Sequence, residues 1–128
     1  MARINVLLFV ESRYKVQRKR IVAAITKFLT GNGISSDVEV SIAIVGDRKM
    51  RALNNTYRHL DKTSNVLSFP IAEGDTIAMP SDTLRLGDVV ISYPEVVRES
   101  AAENWLVDDR IEELVIHGVT HLLGIHHE

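Results

Sequence analysis

The sequence predicts an α+β domain in which a mixed sheet of about four strands is packed by helices. Four short runs, Ile4 to Val10, Val38 to Val45, Asn65 to Phe69 and Arg85 to Ser92, are rich in branched and aromatic residues and have the length of strands. Between and after them lie longer segments whose apolar residues recur at helical spacing. The chain has 128 residues, 45% of them hydrophobic and 25% charged, which is enough for one core and too apolar for a disordered chain. A single domain over residues 1–128 follows.

In chain order, INVLLFV from Ile4 to Val10 reads as a buried strand. From about Tyr14 to Leu29 a first helix is expected, because Val16, Ile21, Val22, Ile25, Phe28 and Leu29 fall near one face and Gly31-Asn32-Gly33 supplies a stop. VEVSIAIV from Val38 to Val45 begins by alternating and then turns continuously apolar, as a packed strand does. Asp47 is placed to cap a second helix running to about Tyr57, with Met50, Leu53 and Tyr57 along one side.

After a loop through Asp61 to Ser64 comes the strand NVLSF, stopped by Pro70, and Glu73 to Thr83 has the Gly, Asp, Pro and Ser content of a mobile loop. The next strand ends near Ser92, Pro94 suits the first turn of a third helix, and that helix fades near Asn104. In the last helix Asp109 and Glu112 have the spacing of a capping box, and Ile111, Leu114, Val115, Val119, Leu122 and Leu123 form its core stripe. Gly124 is suited to end it in a left-handed conformation.

Composition narrows the function. The net charge is −2 and the pI about 6.2, so nucleic acid would have to be held by a local basic patch, of which Arg13, Lys15, Arg18, Lys19 and Arg20 form the clearest candidate. Such a run is also what a solvated helix face looks like. With no cysteine, disulfides and thiolate metal sites are excluded and a reducing compartment is expected. No leader pattern or run of roughly 18 apolar residues is seen, so a cytoplasmic protein without a membrane span is expected.

Four of the five histidines lie in the final segment HGVTHLLGIHHE. His117 and His121 are one helical turn apart on the same ridge, where two imidazoles can converge on one ion. The turn at Gly124 can fold the chain back so that His127 faces them, with His126 left as the alternative third ligand. Three neutral imidazoles leave a fourth position for solvent, as in a catalytic rather than a closed zinc site. The spacing is similar to that of the metzincin proteases, except that Gly118 stands where their general-base Glu follows the first histidine. A small residue there is expected to leave room beside the ion for phosphate or ribose.

The run His117, Gly118, His121, Gly124, His127 resembles the C-terminal signature of the YbeY family, bacterial endoribonucleases of ribosomal RNA maturation. LNNTYRHLDKTSNVLSFP, from Leu53 to Pro70, and LGDVVIS, from Leu86 to Ser92, resemble two further blocks of that family. The resemblance implies a zincin-like metal helix at the C-terminus, one zinc ion on His117, His121 and His127, and Arg58 as the residue that engages phosphate. It implies an endoribonuclease acting on single-stranded RNA in ribosomal RNA processing and ribosome quality control, with ribosomal proteins and a ribosome-assembly GTPase as partners. Nickel or another divalent transition metal suits the same imidazoles.

His126 departs from the family, which usually has Asp there, and family members continue beyond the motif, so less cover over the ion is expected. Two other readings compete. A metalloprotease-like hydrolase is favoured by the ligand spacing and opposed by Gly118, and a ribosome-associated binding module would use its metal for structure alone.

Overall fold

The computed structural model describes residues 3–71 and 83–124. Eight elements follow one another: β1 (Ile4–Val10), α1 (Arg18–Gly31), β2 (Val38–Val45), α2 (Asp47–Arg58), β3 (Val66–Pro70), β4 (Leu84–Ser92), α3 (Tyr93–Glu103) and α4 (Val107–Leu122). The strands form one mixed sheet in the order β1-β2-β4-β3. β1, β2 and β4 run parallel, and β3 is an antiparallel edge strand on β4. The expected α+β class with a four-stranded mixed sheet is thus what the chain adopts.

Strand alternation divides the core between two faces. On one face Val40, Ile42 and Ile44 of β2 and Val89 and Ile91 of β4 pack with Ile21, Ile25 and Leu29 of α1 and with Ile111, Leu114, Val115, Val119 and Leu122 of α4. On the other, Val45, Leu67 and Val90 meet Met50 of α2. A register shift in the β2–β4 pairing brings Val40 opposite Gly87 where Glu39 is opposite Arg85, so Leu86 is passed over. Leu86 and Val89 can therefore both point into the same core despite their odd spacing.

Several boundaries differ from those the sequence predicts, each for a long-range reason. α1 begins at Arg18 rather than near Tyr14, because residues 11–14 are engaged across the sheet ends. The Tyr14 ring stacks on Tyr93 at 4.5 Å, and Glu11 pairs with Arg13 while accepting the Gly46 N–H at 2.9 Å. Gly46, not Asp47, is the N-cap of α2. Asp47 is the first helical residue, and its carboxylate accepts from Ser92, Thr63 and Arg98.

α4 starts two residues before Asp109, with Leu106 as its N-cap and no side-chain cap. The expected capping box does not form, since Arg20 of α1 takes both the Asp109 and the Glu112 carboxylates. β3 includes Pro70, which an edge strand accepts because one side of it needs no N–H. The start of α3 is as expected: Ser92 caps it by accepting the Glu95 N–H at 3.3 Å, with Pro94 in the first turn. The loop expected over Glu73 to Thr83 lies, apart from Thr83, outside the described residues.

Candidate metal centre

α4 is amphipathic in a way that fixes where its histidines stand. Ile111, Leu114, Val115, Gly118, Val119 and Leu122 are buried against the sheet and α1, which leaves His117 exposed and His121 half-buried at the border of that stripe. Thr120 is buried too, its hydroxyl donating back to the Ile116 carbonyl at 2.7 Å, a local way to satisfy a polar group inside a helix. The helix ends as the sequence predicts, with Gly124 in the left-handed region at φ 79°.

The two imidazoles converge. Nε2 of His117 and Nε2 of His121 are 3.2 Å apart, with ring centroids at 4.6 Å and planes inclined by 74°. Two nitrogens each about 2.0–2.1 Å from a tetrahedral zinc ion stand about 3.3 Å from one another. The observed separation therefore fits one edge of such a coordination tetrahedron, and the donor chemistry suits zinc, nickel or copper. Among the described residues no group of three His, Cys, Asp or Glu side chains could hold an ion. His127, the expected third ligand, and its neighbour His126 lie outside the described residues.

Gly118 has a different role from the one its sequence position suggests. It is buried, and a Cβ added there would stand 2.5 Å from Cγ1 and 2.9 Å from Cγ2 of Val89. The residue after the first histidine thus faces the sheet, so its small size lets the helix approach β4 and makes no space for a substrate. Along the sheet, Val89 pairs with Ile42 on one side and with Ser68 of the edge strand on the other, and α4 packs over β4 and β3.

Arg58 is exposed at the last position of α2, where a cation is favoured by the helix dipole. It belongs to the other face of the sheet from α4, and the chain runs from it through residues 59–65 into β3. The structure thus brings His117 and His121 together and sets Arg58 on a separate element.

In the basic run at the start of the first helix, Arg13, Lys15, Arg18 and Lys19 are exposed and three of the five cations have protein partners. Arg20 is bound by Asp109 and Glu112, Arg18 donates to the Leu8 carbonyl at 3.2 Å, and Arg13 pairs with Glu11. On the α2 face, exposed Leu7 and Phe9 border a groove of about 640 Å³ also lined by Tyr57 and Phe69, which contains neither His117 nor His121.

Two polar hubs emerge from the structure. One is Asp47, which the sequence offers only as a helix cap. The other is Asn54, fully buried on α2, whose amide donates to the Lys62 carbonyl at 2.9 Å and to the Ser64 hydroxyl at 2.8 Å. Its signal was present: Asn54 follows Met50 by one turn on the inward ridge, and an amide buried there needs partners.

The family model for Endoribonuclease YbeY matches residues 9–128. An Endoribonuclease YbeY of Anaeromyxobacter sp. (strain Fw109-5) is 42% identical over 93 residues, covering 73% of this chain and 46% of its own length. That of Acinetobacter baumannii (strain ATCC 17978) is 35% identical over 120 residues, covering 94% of this chain and 76% of its own. The chain thus spans between about half and three quarters of these relatives. In fold it is similar to the solution structure of TM1509 from Thermotoga maritima, with TM-score 0.61 and 24% identity, over all of this chain and 75% of that one.

Proposed function

The chain belongs to the YbeY family of endoribonucleases, and on that premise we propose that it cuts single-stranded RNA in the processing of ribosomal RNA, using one zinc ion on His117, His121 and His127. The observation that carries the metal reading is the 3.2 Å separation of the two Nε2 atoms on one ridge of α4. An ion held there would supply Lewis-acid polarisation of a phosphoryl oxygen and a lowered pKa for water.

The protein's own contribution is to hold the reacting phosphate. Arg58 is permanently charged and presents a planar fork that can grip two phosphate oxygens at once, offsetting charge that grows on them in the transition state. The imidazoles of His117 and His121 are held in register by a helix whose opposite side is locked into the core, so their geometry costs no rearrangement when substrate arrives. A cytoplasmic location and recruitment by ribosomal proteins or a ribosome-assembly GTPase belong to the same proposal. Among the described residues no helix is long and apolar enough to cross a membrane.

A protease reading is disfavoured by Gly118. Its Cβ direction is filled by Val89, so a glutamate in the general-base position of metzincins has no room in this packing.

The test is cleavage of a single-stranded ribosomal RNA fragment by the purified chain, with and without chelator, alongside Arg58→Ala and a peptide substrate. Loss of cutting on chelation, with the fold retained by circular dichroism, supports the reading. Cutting of peptide but not RNA overturns it, and chelation that merely unfolds a protein unable to cut RNA favours a structural metal.

A further inference from the structure

We infer that Asn54 is a positioning residue for Arg58, the pivot on which the segment from the end of α2 to β3 is folded. The inference rests on the proposed role of Arg58. α2 ends with His59 in the left-handed region at φ 55° and ψ 35°, which reverses the chain directly after Arg58. Every second residue of the turn that follows is then tied to one side chain or its backbone. The Leu60 N–H donates to the Asn54 carbonyl at 3.2 Å, and the Asn54 amide donates to the Lys62 carbonyl and the Ser64 hydroxyl at 2.9 and 2.8 Å.

Asn54 is itself wholly buried, one turn before Arg58, so the knot cannot slide without exposing or orphaning its bonds. The amide orientation is fixed chemically, because a backbone carbonyl accepts and only the NH2 end can serve it. Both donors of that NH2 are engaged, and Oδ1 is buried with no partner among the described residues. A buried amide with an unserved oxygen is unfavourable for stability alone, which an apolar residue on the same ridge as Met50 would serve without that cost. The arrangement is intelligible if the turn itself is what matters. It fixes the end of α2 at which Arg58 stands and the path of the chain from there to β3, against which α4 packs.

A double-mutant cycle on cleavage of single-stranded RNA separates this role from a general structural one. Asn54→Ala should lower kcat about tenfold or more with KM changed by less than about threefold. In an Arg58→Ala background the same substitution should cost less than about twofold. Independent, additive losses would overturn the inference.

A second readout needs no activity. Trypsin should cut after Arg58 and Lys62 at least about tenfold faster in Asn54→Ala than in the wild type, and unchanged rates would refute the pivot. If the wild-type protein cuts no RNA, the functional reading falls while the proteolysis still decides whether Asn54 holds the turn. Should Asn54→Ala not fold, Ser64→Ala removes one acceptor of the same amide and enters both assays, with smaller effects of the same pattern required.

Discussion

Ser92 and Asp47 join the ends of two parallel strands: the Ser92 hydroxyl, fully buried, donates to Asp47 Oδ1 at 2.9 Å while accepting the Glu95 N–H at 3.3 Å. One hydroxyl thereby caps α3 and anchors the first residue of α2. Thr63 and Arg98 complete the set around the carboxylate. Partial burial works to raise the Asp47 pKa, but the hydrogen bonds from Ser92, Arg98 and Thr63 outweigh it and hold the carboxyl below its usual 3.8.

The sign for stability follows. A carboxylate whose pKa is depressed by folding contributes stability that is present above 3.8 and lost as pH falls through its folded-state value. Asp47→Asn should lower stability near neutral pH by roughly 1 kcal/mol, modest because the group is partly solvated. The difference between variant and wild type should shrink on acidification below pH 4, as read by urea midpoints across that range. A difference that does not change with pH would contradict the argument.

The contact of Gly118 with Val89 predicts that Gly118→Ala is destabilising despite the better helix propensity of alanine. Overpacking costs about 1–3 kcal/mol and the propensity gain offsets at most about 1. Adding Val89→Ala should make the Gly118→Ala step less costly than it is in the wild type. If Gly118→Ala alone raises the thermal midpoint, the close approach of helix and sheet is wrong.

Arg110 ties α4 to α3 and, through Glu99, to Asn65 just before β3. It bonds Glu99 at 3.2 Å, pairs with Glu113, and lies over the Trp105 ring, while Glu99 also accepts from Asn65 at 3.0 Å. Both members of the Arg110–Glu99 pair are largely shielded, so removing one leaves a charge poorly compensated. Arg110→Ala should destabilise by about 2 kcal/mol, and Arg110→Lys should recover less than half of that, since an ammonium lacks the flat fork. Thermal melts of the three proteins check this.

For the ion, elemental analysis of the wild-type protein should find about one zinc per chain, with His117→Ala and His121→Ala each retaining less than a tenth of that after dialysis. Zinc added to the metal-free wild type at about one hundred times its Kd should stabilise it by about 2.7 kcal/mol, an effect absent in both variants. A full complement of zinc in His117→Ala would remove the histidine pair from the argument.

The strands, the four helices and the turn at Gly124 were readable in the sequence because period and turn chemistry are local. What was misread depends on partners far along the chain. Asp109 and Glu112 have the spacing of a capping box, yet Arg20, about 90 residues earlier, draws both carboxylates sideways. Asp47 has a capping residue's chemistry, but Ser92 and Arg98 compete for it. Gly118 looks like vacancy beside an ion until Val89 is seen against it, and no local pattern could reveal that contact. Of the expected site, His117 and His121 are brought together as their spacing requires, and Arg58 stands on a separate helix.

The parallel pairing of β2 with β4 also has a consequence for how the protein is made. Non-local pairing of this kind is slow to form, because a long loop must close before the contacts reward it. A nascent chain synthesised only through β4 carries Ile42, Ile44, Val89 and Ile91 on a face that α4 has yet to cover. Such an intermediate is prone to self-association. The helix that carries the imidazole pair is thus also the lid of the core, and synthesis must pass through it before the chain is safe from aggregation.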